Sequence, residues 1–467
     1  MDSVRVRMFR QGLGDSFLLT FPGDAGEVHV LIDLGVLLGT PDAAARMQKM
    51  ASHIVETTKG KLDVMVATHE HWDHVSGFAQ AEPLLGKDKL DVGQVWVAWT
   101  EKPGEPLADE LRGRRAAAVN RIAAASRQLG AVQEPAAQKT AGRLNAVLEF
   151  WGGLGATGLG AAGRATTTTA MNWVKSRTAP REPEYLYPGA VFALPGAQHV
   201  RVYVLGPPHD KKMIKKSDPT KGASEVYQLA AASGADFGLF AAIDALDAGE
   251  DTPEAQPFDE WFRISESEAG DNAFFRDHYQ AKADDWRRIE HDWLGPAGTL
   301  ALQLDSDTNN TSLVLAFELV DSGQVLLFPA DAQVGNWLSW ETVVWTVEEN
   351  GKSRKVTSAD LLARTVFYKI GHHGSHNATL REKGLELMTN GSLVAMLPLD
   401  RKTAKKMEWN MPFPSLYDRL NERCKGRILD LELGMPAKPD SMSPEEWKLF
   451  QARVEVNDDW IDYKLPL

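Results

Sequence analysis

Three histidines and two carboxylates fall within six consecutive positions, His69 to His74, of the stretch ATHEHWDHVSGF. Imidazoles and carboxylates at this density are costly to bury without partners, and together they are common ligands of divalent metal ions. His69 and His71, two apart, can point the same way from an extended segment. A turn that opens a helix then brings Asp73 and His74 to a neighbouring point. The pattern suits two ions close together, one on His69 and His71 and the other on Asp73 and His74, which also makes Asp73 a candidate catalytic residue. The single cysteine, Cys424, excludes both an intramolecular disulfide and a cysteine-rich zinc site, so His and carboxylate must hold any metal.

Short strands must position this cluster. VRVRMF, SFLLTF and VHVLIDL open the chain, a helix-like AAARMQKMASHIVETTK follows, DVMVAT delivers the cluster, and VGQVWVAW comes after it. HVRVYVLGPPHD, TLALQL, TSLVLAFEL, QVLLFPAD, TVFYKIGHHGS and SLVAMLPL read as later strands with their ends. PFPSLYDRLNERCKG reads as a helix stopped by Gly426, and SPEEWKLFQARV as a short helix capped by Ser443. Residues 101–183 are rich in Ala, Gly, Arg and Thr and read as a helical insertion; residues 211–296 are acidic and read as a second. The expected organisation is a core in three pieces, 1–100, 184–210 and 297–436, with these two insertions between them and a polar tail, 437–467.

Two more strand ends carry the same chemistry. Asp331 follows the apolar run VLLFPA, where a carboxylate needs a partner or a metal, unless it caps the segment AQVGNWL. His372 and His373 follow VFYKIG; neighbours on a strand end point to opposite sides, and the spacing favours His372 as the ligand, with His373 behind. Asp33, at the end of VHVLID, is placed to accept a ring N–H from a ligand histidine and fix its tautomer, or to make an ordinary turn.

Whole-chain properties narrow the class. A formal charge of −13 argues against an extended surface that coats nucleic acid. Two local basic runs remain, Lys211, Lys212, Lys215 and Lys216, and Arg401, Lys402, Lys405 and Lys406; either lines a phosphate-tracking groove or is solvated surface. Trp99, Trp337 and Trp340 could stack bases, although core packing is the simpler role. Neither a signal-peptide core near Met1 nor a run of about 18 apolar residues is present, so a cytoplasmic protein without membrane contact is expected.

HEHWDH resembles the HxHxDH signature of the metallo-β-lactamase fold, an α/β four-layer αββα sandwich of hydrolases. VLIDLG, LLFPADAQ and KIGHHGSHNAT resemble its other motif strands in order and spacing. The resemblance implies that Asp331 bridges two metals, that one of the paired histidines is the last ligand, and that a third histidine for the first metal follows a middle strand. His209, in VLGPPHD, is placed for that role, with His199 as its substitute. QGLGDSFLLTF, VLGPP, NNTSLVL, HHGS and NMPFPSLYDRLNERCKGRIL are together similar to the hydrolase domain of competence-type DNA-uptake proteins and their soluble relatives. The chain departs from that group in having Asn410 and Met411 where a histidine usually precedes the proline, and in the size of both insertions.

That likeness implies a dinuclear phosphodiesterase or nuclease acting on DNA. Zinc is favoured by imidazole-rich ligation, with manganese or iron as alternatives. Asn309, Ser375 and His376 lie in motif loops where they could bind a phosphate oxygen or, for His376, protonate the leaving group; each could equally organise its loop. Lys211 and Lys212 would then contact flanking phosphates. A small-molecule ester hydrolase of the phosphorylcholine esterase or lactonase type is the alternative, favoured if the helical insertion roofs the site. A regulatory protein or a protease acting on the insertions is a further expected partner, because Gly152 to Thr169 has the composition of an accessible loop.

Overall fold

A computed structural model describes residues 3–131, 135–152, 166–216, 268, 271–279, 304, 307–349, 351–407 and 409–467. Most of the acidic insertion and of TLALQL lies outside these residues, as do residues 153–165 of the Gly- and Thr-rich stretch. The described chain is an α/β protein with two large mixed sheets.

The first sheet has the order β16-β17-β1-β2-β3-β4-β5-β6. Its strands are β1 (Ser3–Phe9), β2 (Ser16–Gly23), β3 (Gly26–Leu34), β4 (Lys61–Ala67), β5 (Asp91–Ala98), β6 (Glu184–Leu186), β16 (Val454–Val456) and β17 (Trp460–Pro466). Strands β3 to β6 run parallel and the others antiparallel. The second sheet is β15-β14-β13-β10-β9-β8-β7. It contains β7 (Val191–Leu194), β8 (Ala197–Gly206), β9 (Val314–Leu319), β10 (Gln324–Phe328), β13 (Thr365–Lys369), β14 (Val394–Leu397) and β15 (Ile428–Asp430). A separate hairpin joins β11 (Val344–Glu349) to β12 (Lys352–Thr357).

Strand alternation divides the core. Leu315, Phe317, Leu326 and Phe328 share one apolar cluster with Val4, Val6, Val30 and Ile32 of the first sheet. Val314, Ala316, Val325 and Leu327 face the other way, into a cluster with residues of α4 (Pro106–Ala131) and α5 (Pro135–Leu148). The far face of the first sheet, with Leu31, Met65 and Val95, packs against α1 (Ala43–Thr58), α2 (Trp72–Gln80), α3 (Glu82–Leu85) and α6 (Thr167–Ser176). On α1, Met47, Met50, Ala51 and Ile54 recur at helical spacing on the buried side.

Two regions left open by the sequence are placed here. The polar C-terminal tail supplies a strand of the first sheet: β17 pairs with β1 from Ser3↔Pro466 to Phe9↔Trp460, and the buried Arg7 guanidinium grips Asp462 at 2.7 and 2.8 Å. Polar residues on one face hid this strand. Trp99, Trp337 and Trp340 are buried in full and serve the core, the simpler of their two expected roles. No helix among the described residues is long and apolar enough to cross a membrane.

Candidate metal centre

Loops that leave the carboxyl ends of parallel strands gather at one end of the two sheets, the usual place for a site in such architectures. Asp33 comes from β3, His69 to His74 from β4 and the start of α2, Asp331 from β10, and His372 and His373 from β13. Four of the seven non-glycine residues with left-handed backbone among the described residues lie at these strand ends: Asp33 (φ 57°), Ala330 (φ 51°), His372 (φ 40°) and His373 (φ 53°). Strain of this kind persists only where surrounding contacts enforce it.

The structure brings together ligand atoms of Asp15, His74, Asp331 and His373, all within 4.8 Å of one another and all buried. His74 Nδ1–H donates to Asp33 Oδ2 at 2.8 Å, which turns Nε2 inward, 3.1 Å from Asp331 Oδ2 and 3.8 Å from Asp73 Oδ2. The Asp331 contact is close but lacks hydrogen-bond alignment. His373 Nδ1–H donates to the Pro398 carbonyl at 2.6 Å, so its Nε2 also faces inward, 3.1 Å from Asp73 Oδ2 and 3.9 Å from Asp331 Oδ2. Asp15 Oδ1 and Asp73 Oδ1 are buried with no hydrogen-bond partner. Inward-facing ring nitrogens held from behind, beside orphaned carboxylate oxygens, are what a cation-binding site requires, so these residues could hold a divalent ion.

Charge follows the geometry. Burial opposes a proton on His74, but Asp331, Asp73, Asp15 and Asp33 outweigh it and hold its pKa well above the usual imidazole value. His373 is raised in the same way, against burial, chiefly by its bond to Asp73. Asp331 stays well below the usual carboxylate range despite burial, because of His74, Lys369 and His372. Asp15 is raised, with burial the main cause. Lys369, 1% exposed, donates to Asp331 Oδ1 at 3.1 Å and to the Ala330 carbonyl at 2.8 Å, and is paired with Asp15.

His69 and His71 form a second, different arrangement. The Thr68 hydroxyl donates to Asp33 Oδ2 at 2.7 Å and so receives the Nδ1–H of His69 at 3.1 Å. That leaves His69 Nε2 bare, 3.1 Å from His71 Nδ1. Burial pushes His69 well below the usual imidazole range and His71 down to about 3, so both are neutral near pH 7. The His69 and His74 ring centroids are 4.2 Å apart, so the pair adjoins the first group.

Three sequence expectations fail in placement. His372 is not the inward histidine. Gln333 Nε2–H donates to its Nδ1 at 3.1 Å, and Asn377 fixes that amide by donating to Gln333 Oε1 at 2.9 Å. Its pKa is lowered to about 4, mainly by burial, and its ring nitrogens face the Gln333 and Asn309 side-chain amides. His209 lies away from the group, half-exposed, bonded to Glu105 at 3.1 Å and edge-on to Trp99. His199, its substitute, sits at the start of β8, and the group lies beyond strand ends. Lys211 pairs with Glu110, while Lys212 is exposed on the same short helix, so neither is brought to the group.

Asn309 is fully buried, with Nδ2 3.5 Å from His372 Nε2. Ser375 donates to Asn377 at 3.0 Å, behind the Gln333 amide, and His376 packs against Phe413. From the late basic run, Lys402 and Lys406 line a cavity of about 510 Å³ together with Arg46, Glu149 and Asp400. Glu149 precedes Phe150, whose ring lies 5.6 Å from that of His71; Asp400 is two residues past Pro398, the partner of His373.

Asp15 and Lys369 were missed from sequence. Asp15 sits in GLGDS, where Asp15 N–H donates to the Asp73 carbonyl at 3.0 Å. A side chain at Gly14 or Gly35 would collide with the Asp73 backbone, at 2.5 and 2.3 Å, so these glycines permit the contact. Lys369 left a readable signal: a lysine inside the apolar run VFYKIG needs a buried anion.

No protein-family model matches this chain, and a search of curated proteins finds no match.

Proposed function

We propose that this chain is a metal-dependent hydrolase of the metallo-β-lactamase fold, and that it cleaves phosphodiesters, DNA among them. The observation that carries the reading is the buried set of Asp15, His74, Asp331 and His373, whose orphaned or inward-facing atoms have no other evident use. The three apolar clusters, which set helices against each outer sheet face and the two sheets against one another, support the αββα assignment.

In this reading Asp15, His74, Asp331 and His373 hold one divalent ion, and His69 and His71 contribute to a second, with Asp73 close to both. When bound, such ions make water nucleophilic near neutral pH and stabilise charge on a phosphoryl group. The protein's own residues do the rest. Asp33 and the Pro398 carbonyl fix the tautomers of His74 and His373, Lys369 offsets part of the carboxylate charge, and Phe150 and Trp151 exclude water beside His71. Zinc is the expected metal, with manganese or iron as alternatives.

A second reading, hydrolysis of a small ester or lactone on the same residues, is favoured by one observation. The rings of Phe150 and Trp151, just past α5 in the helical insertion, lie 5.6 and 5.0 Å from the His71 ring and cover it. The deciding assay offers a labelled oligonucleotide, bis-p-nitrophenyl phosphate and a lactone to zinc- or manganese-loaded wild type and to Asp73→Ala. Phosphodiester cleavage lost in the variant is expected; hydrolysis of the lactone alone refutes the phosphodiesterase.

A further inference from the structure

Glu70, between the first two histidines, is a carboxylate only 6% exposed. Oε1 accepts from Thr168 Oγ1 at 2.6 Å and from Thr167 Oγ1 at 3.1 Å, both at the start of α6. Oε2 is paired with Arg115 of α4. Glu101 lies 3.5 Å from Arg115 and 3.5 Å from Lys175 of α6. Two anions and two cations thus join both helices to the peptide that carries His69 and His71. Burial disfavours charge on Arg115, but Glu70 and Glu101 outweigh it and raise its pKa, so the guanidinium remains charged.

Arg115 also lies over the Trp151 ring, 5.8 Å from its centroid, an attractive geometry for a cation and an indole. Trp151 meets His71 edge-on at 5.0 Å, and Phe150 stacks on Trp409 at 5.4 Å. The contacts run in a closed ring: Glu70 to Arg115, Arg115 to Trp151, Trp151 to His71, and His71 along the chain to Glu70. Either residue alone could be packing. Together they make the position of the aromatic wall depend on the peptide it covers.

We propose that Glu70 and Arg115 are positioning residues that seat Trp151 over His71, and that this wall sets which phosphodiesters are accepted, admitting small diesters and strand ends and excluding the continuous interior of a strand or duplex. The inference rests on the phosphodiesterase reading for its substrate, but the wall itself can be tested without turnover.

The experiment compares wild type, Trp151→Ala, Trp151→Phe and Arg115→Met. Size selectivity is the ratio of kcat/KM on circular single-stranded DNA, which has no ends, to that on bis-p-nitrophenyl phosphate. Access is the rate at which EDTA strips added zinc, and hydrogen exchange of Pro106–Ala131 reports the seating of α4. Trp151→Ala and Arg115→Met should raise the selectivity ratio and the stripping rate at least tenfold, Arg115→Met should also speed exchange in α4, and Trp151→Phe, which keeps a ring, should resemble wild type. Unchanged stripping in Trp151→Ala, unchanged exchange in Arg115→Met, or faster stripping with an unchanged ratio overturns the proposal. A wild type that cleaves no phosphodiester removes the substrate reading instead, and the stripping and exchange rates still decide whether the wall is latched.

Discussion

The two halves of the candidate centre are built on different terms. Around Asp15, His74, Asp331 and His373, carboxylates stand opposite imidazoles whose outer nitrogens are held by Asp33 and by the Pro398 carbonyl. At His69 and His71 two neutral imidazoles face each other, under an aromatic cover and without the third histidine expected at His209. On the proposed reading, the first half, with carboxylates of its own, is the stronger site for a dication. The second lacks a carboxylate of its own and depends on its neighbour. Metal loading should therefore be sequential, with one tight ion and one weaker.

The largest test of that difference is Asp331→Asn. It removes a buried anion shared by His74 and Lys369, and breaking such a pair costs about 3–5 kcal/mol. Elemental analysis should show the tight ion lost and the weak one with it. Loss of only the weak ion would mean that the halves have been ranked in the wrong order. Close behind comes the histidine pair: His373→Ala should release the tight ion, whereas His372→Ala should keep it and impair only the rate. Asp33→Asn, which leaves every proposed ligand in place, should weaken metal affinity by roughly 10–100-fold.

The weak half makes its own prediction. His69→Ala should leave the tight ion in place and abolish the second, and His209→Ala should leave both. pH separates the halves further. His74 and His373 have raised pKa values, so protons compete with the tight ion there up to a higher pH than at an ordinary imidazole. Its apparent affinity should rise with pH until those groups have titrated. His69 and His71 are depressed and already neutral, so the second ion's affinity should change little across the same range. Calorimetric titrations in buffers of different ionisation enthalpy count the protons released at each step; equal release at both would erase the distinction.

How much of this was legible in the sequence depends on whether local rules governed each residue. The helical pattern of α1, the strand-end position of HEHWDH and the placement of Asp331 after an apolar strand follow from periodicity and burial. His372 and His373 did not, because the choice between them assumed strand alternation, and both backbones are left-handed. Asp15 enters only because Gly14 and Gly35 let two distant loops meet at Asp73. The docking of the helical insertion through Glu70 and Arg115 joins residues 45 positions apart, and nothing in either local pattern announces it.

The smallest expected effect falls on the residue that links the halves. Thr68 donates its hydroxyl proton to Asp33, which orients His74, and accepts from His69 Nδ1. Its backbone N–H donates separately to Asp33 Oδ1 at 2.8 Å, so Thr68→Val keeps Asp33 anchored while freeing His69 to turn. The lost bonds cost about 1–3 kcal/mol of stability, since the ring N–H of His69 would be left buried without an acceptor. Tight-ion affinity should stay within a few-fold of wild type, and the second ion should weaken by about tenfold, roughly the equivalent of one such bond. Equal weakening of both ions in a calorimetric titration would show that the two halves act as a single unit, with Thr68 as its hinge.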